Sequence, residues 1–230
     1  IEIVGKSLGI YAKSINALVI SDLHIGYEDY LNEQGIYIPL SQYPKIKKML
    51  EVMLNDCEAE IVVIVGDVKH EFGKASKQEW LETLDLLDFL RKRVKEVHIV
   101  RGNHDNFLRT IAGKLGIPIY NEYEIKGIKI VHGHKETEAK RIIMAHEHPS
   151  LHLRDKVGAI VKLPCFLASK KIIVMPALSP LATGIDVSSA EPADYLSPIL
   201  QRENVDEYEV YAISDELLYF SKIGKLKKVI

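Results

Sequence analysis

Short apolar runs that end in polar clusters recur through the first two thirds of the chain: ALVI before SDLH, IVVIV before GD, VHIV before RGNHD, and IKIV before HGH. Unbroken runs of this length, rich in Ile and Val, predict strands covered on both faces. Helical spacing separates the first of them. The clearest stretch is 76–93, with Trp80, Leu84, Leu87 and Leu90 on one stripe, and Ser76 with Glu79 as a capping box at its start. A second helix is expected after Pro44, turning Ile46, Met49, Leu50, Met53 and Leu54 inward.

From Ile117 and Pro118 onward the spacing of about 3.6 residues gives way to closely spaced strand candidates: EYEIK, IKIVHG, RIIMAH, GAIVKL, KIIVM and EYEVYAI. An α/β first half followed by a β-rich second half predicts a four-layer α/β/β/α sandwich with two packed mixed sheets. Residues 176–204 carry several prolines and little periodicity, which predicts a long ordered loop of the kind that is often functional. No repeat or linker interrupts the pattern, so one domain is expected over residues 1–230.

Composition adds exclusions. Hydrophobic residues make up 47% and charged residues 27% of the 230, as in ordinary globular proteins and unlike disordered ones. A formal charge of −2 leaves no overall basic field, so a nucleic-acid contact would need a local patch. Cys57 and Cys165 lack the spacing of a zinc or redox motif and read as small buried hydrophobes. No apolar run approaches a membrane span and the opening residues do not resemble a leader peptide, so the expectation is a cytoplasmic protein without a membrane partner.

The chemistry is concentrated where the apolar runs stop. Asp22 and His24 are two apart, which in an extended backbone turns both side chains to one side. Asp67 follows IVVIVG, where a helix cap would be the bland explanation. Arg101-Gly102-Asn103-His104-Asp105 is more specific, since it combines an amide oxygen, an imidazole and a carboxylate at one strand end. There Asp105 could orient His104 as a candidate acid. His132-Gly133-His134 and His146-Glu147-His148 repeat the spacing of two, whereas His98 and His152 read as ordinary surface or core histidines. Five strand ends bearing such groups would meet in one crevice, because open α/β sheets bind ligands beyond the carboxyl ends of their strands. Divalent cations would relieve the repulsion among clustered carboxylates and coordinate neutral imidazoles.

This ordered series, over residues 21–149, resembles the motifs of calcineurin-like metallophosphoesterases. GDVKHEF and AHEHPS further look like an archaeal branch related to small phosphoesterases associated with bacterial DNA ligases. The resemblance implies a first metal held by Asp22, His24 and His148, a second held by Asn103, His132 and His146, and Asp67 bridging them. The family usually has Gly where Ala145 precedes His146. Two divalent ions are implied, Mn²⁺ foremost with Fe, Zn²⁺ or Ni²⁺ as alternatives, and the oxygen and nitrogen ligand set suits all of them. The implied reaction is hydrolysis of a phosphate ester by metal-bound hydroxide, with His104 and Asp105 catalytic and a phosphodiester from a nucleotide or nucleic acid favoured. Arg101, His134, Lys69, His70 and Arg141 lie close enough in sequence to contact such a substrate. The alternatives are a phosphomonoesterase, or a protein-interaction module that keeps the fold. The second would be expected to have lost ligands, and here all seven positions are filled.

Overall fold

The computed structural model describes residues 2–3, 7–73, 76–154 and 157–228; residues 4–6 of the opening segment lie outside them. The first sheet runs in sequence order through β1 (Glu2–Ile3), β2 (Ile10–Ala12), β3 (Ala17–Ser21), β4 (Ile61–Val65), β5 (Glu96–Val100) and β6 (Ile119–Tyr120). From β3 to β6 the pairing is parallel, while β1 and β2 are antiparallel additions. The connections carry α1 (Tyr27–Glu33), α2 (Gln42–Asp56), α3 (Lys77–Arg93) and α4 (Leu108–Gly113).

The second sheet takes β7 (Glu122–Ile125), β8 (Ile128–Val131), β9 (Ile142–Met144), β11 (Ile160–Ala168), β12 (Ile172–Val174), β13 (Glu209–Ile213) and β14 (Leu217–Lys222) in the order β14-β13-β11-β12-β9-β8-β7. The hairpin strand β10 (Ser150–Arg154) pairs with β11 outside that path. β8, β9 and β12 are parallel neighbours within an otherwise antiparallel sheet.

Alternation along the strands divides the core. On β3 and β4, Leu18, Ile20, Val62 and Ile64 face α2, α3 and α4, whereas Val19, Val63 and Val65 face the second sheet. There they meet Ile130, Ile143, Phe166 and Met175. The outer face of the second sheet is covered by Tyr195, Ile199, Leu200 and Tyr208 from the 176–204 region and beyond, with Ile223 of α5 (Ile223–Leu226). The expected four layers are present, the last built mainly from loop and 3₁₀ turns. Among the described residues no helix is long and apolar enough to cross a membrane.

Two helices differ from expectation in detail. α2 starts at Gln42, before Pro44; a proline in the first turn costs little because its N–H would have no helical partner. Its buried stripe is Gln42, Ile46, Leu50 and Met53, with Met49 and Leu54 at the margin. In α3 the buried residues are Glu79, Thr83, Leu86, Leu87 and Leu90, so Trp80 and Leu84 flank the contact face. The face is rotated because the Glu79 carboxylate is drawn inward to accept the amide N–H groups of His70 and Glu71, both at 2.9 Å. Cys165 is buried as expected, and Cys57 only partly so.

Candidate metal centre

Every candidate ligand follows a strand. Asp22 and His24 leave β3, Asp67 leaves β4, Asn103 leaves β5, His132 leaves β8, and His146 and His148 leave β9. The parallel strands of each sheet point the same way, which gathers these ends along one edge. The backbone there is not extended. Asp22, His24, Asp67, His146 and His148 adopt φ of 49°, 45°, 36°, 76° and 47°, a left-handed conformation that costs a non-glycine residue roughly 1–2 kcal/mol. The same-side projection of Asp22 and His24 therefore comes from left-handed turns rather than from strand alternation.

Neighbouring segments hold these turns. The N–H of His24 donates to the Asp67 carbonyl at 2.9 Å, and the buried Gln42 amide donates to the Leu23 and His24 carbonyls. The loop after β12 docks on the same turn, with Leu178 N–H on the Ser21 carbonyl at 2.9 Å and Ser179 N–H on the Asp22 carbonyl at 3.1 Å. Glu147, between the two histidines, accepts from the Leu196 and Ser197 N–H groups and ties that motif to the loop. Gln42 and Glu147 carry no motif signal, and their role appears only in three dimensions. Two glycines make room: a Cβ on Gly66 would lie 1.9 Å from His132 Nδ1, and one on Gly102 would lie 2.0 Å from Asp67 Oδ1.

The donor atoms fall into two groups. In one, His148 Nε2 is 3.3 Å from Asp22 Oδ2 and 3.4 Å from His24 Nε2. In the other, His132 Nε2 is 2.9 Å from Asn103 Oδ1, 3.1 Å from His146 Nδ1 and 3.4 Å from Asp67 Oδ2. Asp67 Oδ2 also lies 4.0 Å from His24 Nε2, so this one carboxylate faces both groups. Donors each about 2.1 Å from a shared cation lie roughly 3.0–3.4 Å from one another. The spacing fits one ion per group. His132 Nε2 can hold one proton yet faces an amide oxygen, a carboxylate and another imidazole, while the buried Asp22 Oδ1 belongs to neither group and faces His132 Nδ1 at 3.5 Å. A cation satisfies such a set where protons cannot.

Electrostatics divides the imidazoles. Burial, with His148 adding to it, lowers His24 to about 3, and burial with the neighbouring His132 lowers His146 to about 4, so both rings favour the neutral form, which keeps one lone pair to bind a cation. Burial also acts on His132 and His148, but Asp67 and Asp22 outweigh it and raise both above the usual histidine value. The reverse holds for the two carboxylates, which burial would raise and the histidines hold below the usual range.

Other expected groups are placed differently. His104 Nε2 lies 3.9 Å from Asp67 Oδ2, at the edge of the group, while its Nδ1 faces the His70 carbonyl. Asp105 has no described hydrogen bond to His104. Its carboxylate is buried and accepts N–H groups from Val68 at 3.0 Å and Gly102 at 2.8 Å, joining the Asp67 and Asn103 loops. Burial and the nearby Asp67 push it up to about 7. The orienting task expected of Asp105 thus falls to the His70 main chain. Lys69 is fully buried with its ammonium on the Glu71 carbonyl, so it is closed to a substrate. Arg141 precedes β9 at the end opposite His146. His98 pairs with Glu96 and His152 with Asp186, away from the cluster.

His70 is closer to the centre than its sequence position suggests. Its Nδ1 lies 3.4 Å from His24 Nδ1, and its ring stacks on Tyr27 with centroids 3.8 Å apart. Two clefts flank the donors and share Asn103. One, of about 410 Å³, is walled by His24, Asp67, His104, His148 and Leu196; the other, of about 420 Å³, by Arg101, His132, His134 and Lys135.

Among curated proteins no sequence match was found. The nuclease MPE of Pseudomonas putida has a similar structure, with a TM-score of 0.71 at 19% identity over 94% of this chain and 92% of that one. The phosphoesterase Yfce of E. coli aligns at 18% identity over 90% of this chain and 98% of that one, with a TM-score of 0.44. The family described as calcineurin-like phosphoesterase matches residues 15–206, and this chain belongs to that family.

Proposed function

We propose that the chain is a dimetal phosphodiesterase acting on a nucleotide-derived or nucleic-acid ester. The observation that carries this reading is the pair of clefts meeting at Asn103 beside the donor groups. A diester has two organic arms and needs room on both sides of the phosphorus, whereas a monoester needs one. The fold shared with a nuclease is in keeping with that substrate class.

In this reading Asp22, His24 and His148 hold one divalent cation, Asn103, His132 and His146 hold the other, and Asp67 lies between them. Mn²⁺ is the first choice, and Fe, Zn²⁺ or Ni²⁺ also suit the donors. Such a pair supplies an activated water and neutralises charge that builds on the phosphoryl oxygens. The chain's own contribution beyond binding is His104. The His70 carbonyl accepts the proton on His104 Nδ1, so Nε2, facing the centre, gives a proton to the departing oxygen only from the doubly protonated ring, which is left neutral with its Nδ1–H in place. Asp105 acts indirectly by holding the Asp67 and Asn103 loops together.

The test is hydrolysis of bis(p-nitrophenyl) phosphate and p-nitrophenyl phosphate with each metal, alongside bound-metal analysis. The diester should be cleaved faster, and Asp67→Asn should abolish turnover and lower metal content. A wild-type protein that binds metal yet cleaves neither ester, or prefers the monoester, overturns the reading.

A further inference from the structure

The cleft on the far side of Asn103 extends past the candidate ligands Asn103 and His132 that form one of its walls, and its charges do not balance. Of its two acids, Glu122 is paired with Lys129 at 3.1 Å and Glu136 with Arg202 at 2.5 Å. Its cations have no such partners among the described residues. The Arg101 guanidinium donates to the neutral Asn106 side chain at 2.9 Å, and Lys135 has no carboxylate within salt-bridge distance. Between them His134 Nδ1 is buried with no hydrogen-bond partner. The His134 ring is 5.2 Å from that of His132, so this surplus of donors and positive charge begins two residues beyond a member of the second ligand group.

We propose that this cleft, at Arg101, His134 and Lys135, is an anion subsite for the phosphate next to the scissile one in a single oligonucleotide strand. The assignment rests on the phosphodiesterase reading and extends it to the substrate. A dehydrated ring nitrogen and two cations without counter-ions favour an acceptor-rich anion, and the forked guanidinium suits phosphate geometry. A strand with its reacting phosphate beside Asp67 runs outward on both sides of Asn103, and one direction enters this cleft. The overall charge of −2 gives the protein no other general attraction to a polyanion.

The experiment is calorimetric titration of the metal-loaded protein with thymidine 5′-monophosphate, thymidine 5′-diphosphate and thymidine 3′,5′-bisphosphate. The bisphosphate should bind at least about tenfold more tightly than the monophosphate, and Arg101→Gln with Lys135→Gln should bring the two to parity. Lys135→Arg, which keeps the charge, should keep most of the advantage. In the double variant the salt dependence of bisphosphate binding should be weaker than in wild type, since two cations that face the anion are gone. Equal affinity of wild type for monophosphate and bisphosphate, or an advantage that survives in the double variant, overturns the subsite. A diphosphate that binds as tightly as the bisphosphate overturns the strand assignment in favour of a nucleoside polyphosphate. Failure to hydrolyse bis(p-nitrophenyl) phosphate would remove the parent reading, and the binding comparison would still decide the subsite.

Discussion

Gly66 and Asp67 end β4 with two consecutive left-handed residues, φ 72° and 36°, and this kink turns the Asp67 carboxylate toward both donor groups. In Gly66→Ala the added methyl would meet His132 Nδ1 in a conformation already costly for alanine. We expect that variant to lose at least about 1 kcal/mol of stability and most of its metal, read by urea unfolding and metal analysis. His104→Ala should behave differently if it is the proton donor proposed above, keeping the bound metal while turnover falls by about two to four orders of magnitude. A variant that lost metal instead would make His104 a ligand. The raised His132 and His148 must release their protons to coordinate, so metal affinity should strengthen as pH rises. Below both raised values the logarithm of the affinity should climb by up to about two per pH unit, one for each proton displaced. Calorimetry in buffers of different ionisation enthalpy, at a pH below both raised values, counts those protons, and a count of zero there would mean that neither ring is a ligand.

At the scale of elements, α3 places chemistry as well as packing. Ser76 accepts the Glu79 N–H at 3.1 Å to start the helix, and Glu79 then holds the His70 and Glu71 amides beside the centre. Ser76→Ala should cost about 1 kcal/mol in chemical denaturation, the usual loss at such a cap. The loop after β12 is the second such element. It adds no candidate ligand, but hydrogen bonds from Leu178, Ser179 and Ser197 hold the Asp22 turn and the Glu147 segment, and Gly184 lets it pass against the His148 carbonyl. Its lack of periodicity follows from that task, because it follows the outline of the site rather than a lattice of its own.

For the whole molecule, the layer between the sheets joins the two halves of the centre. Phe166 of the second sheet is buried there among Val19, Val63 and Val65 of the first. We propose that the two sheets fold as one cooperative unit. Phe166→Ala should then cost about 3–5 kcal/mol, and circular dichroism and tyrosine fluorescence should report one shared transition. Two separated transitions would divide the chain into two domains. Cooperativity at this level matters to the site, since Asp22, Asp67 and Asn103 come from one sheet and His132, His146 and His148 from the other.

Local order in the chain foretold much of this. Apolar runs ending in Asp, Asn and His marked the strands and the candidate ligands, because a buried parallel strand must be apolar throughout and its end is the first place a polar group can face an open crevice. The change from helical to strand spacing near residue 117 likewise marked where the second sheet begins. Short elements such as β2, β10, β14 and α4 left no comparable trace, since three to six residues hold too little periodicity to stand out. The left-handed turns and the Asp105 bridge between loops are held by partners far along the chain, 37 residues away for Val68 and Asp105 and 155 where Ser21 beside the Asp22 turn reaches Pro176. Contacts of that range follow from how the sheets and loops pack, and no spacing along the chain encodes them.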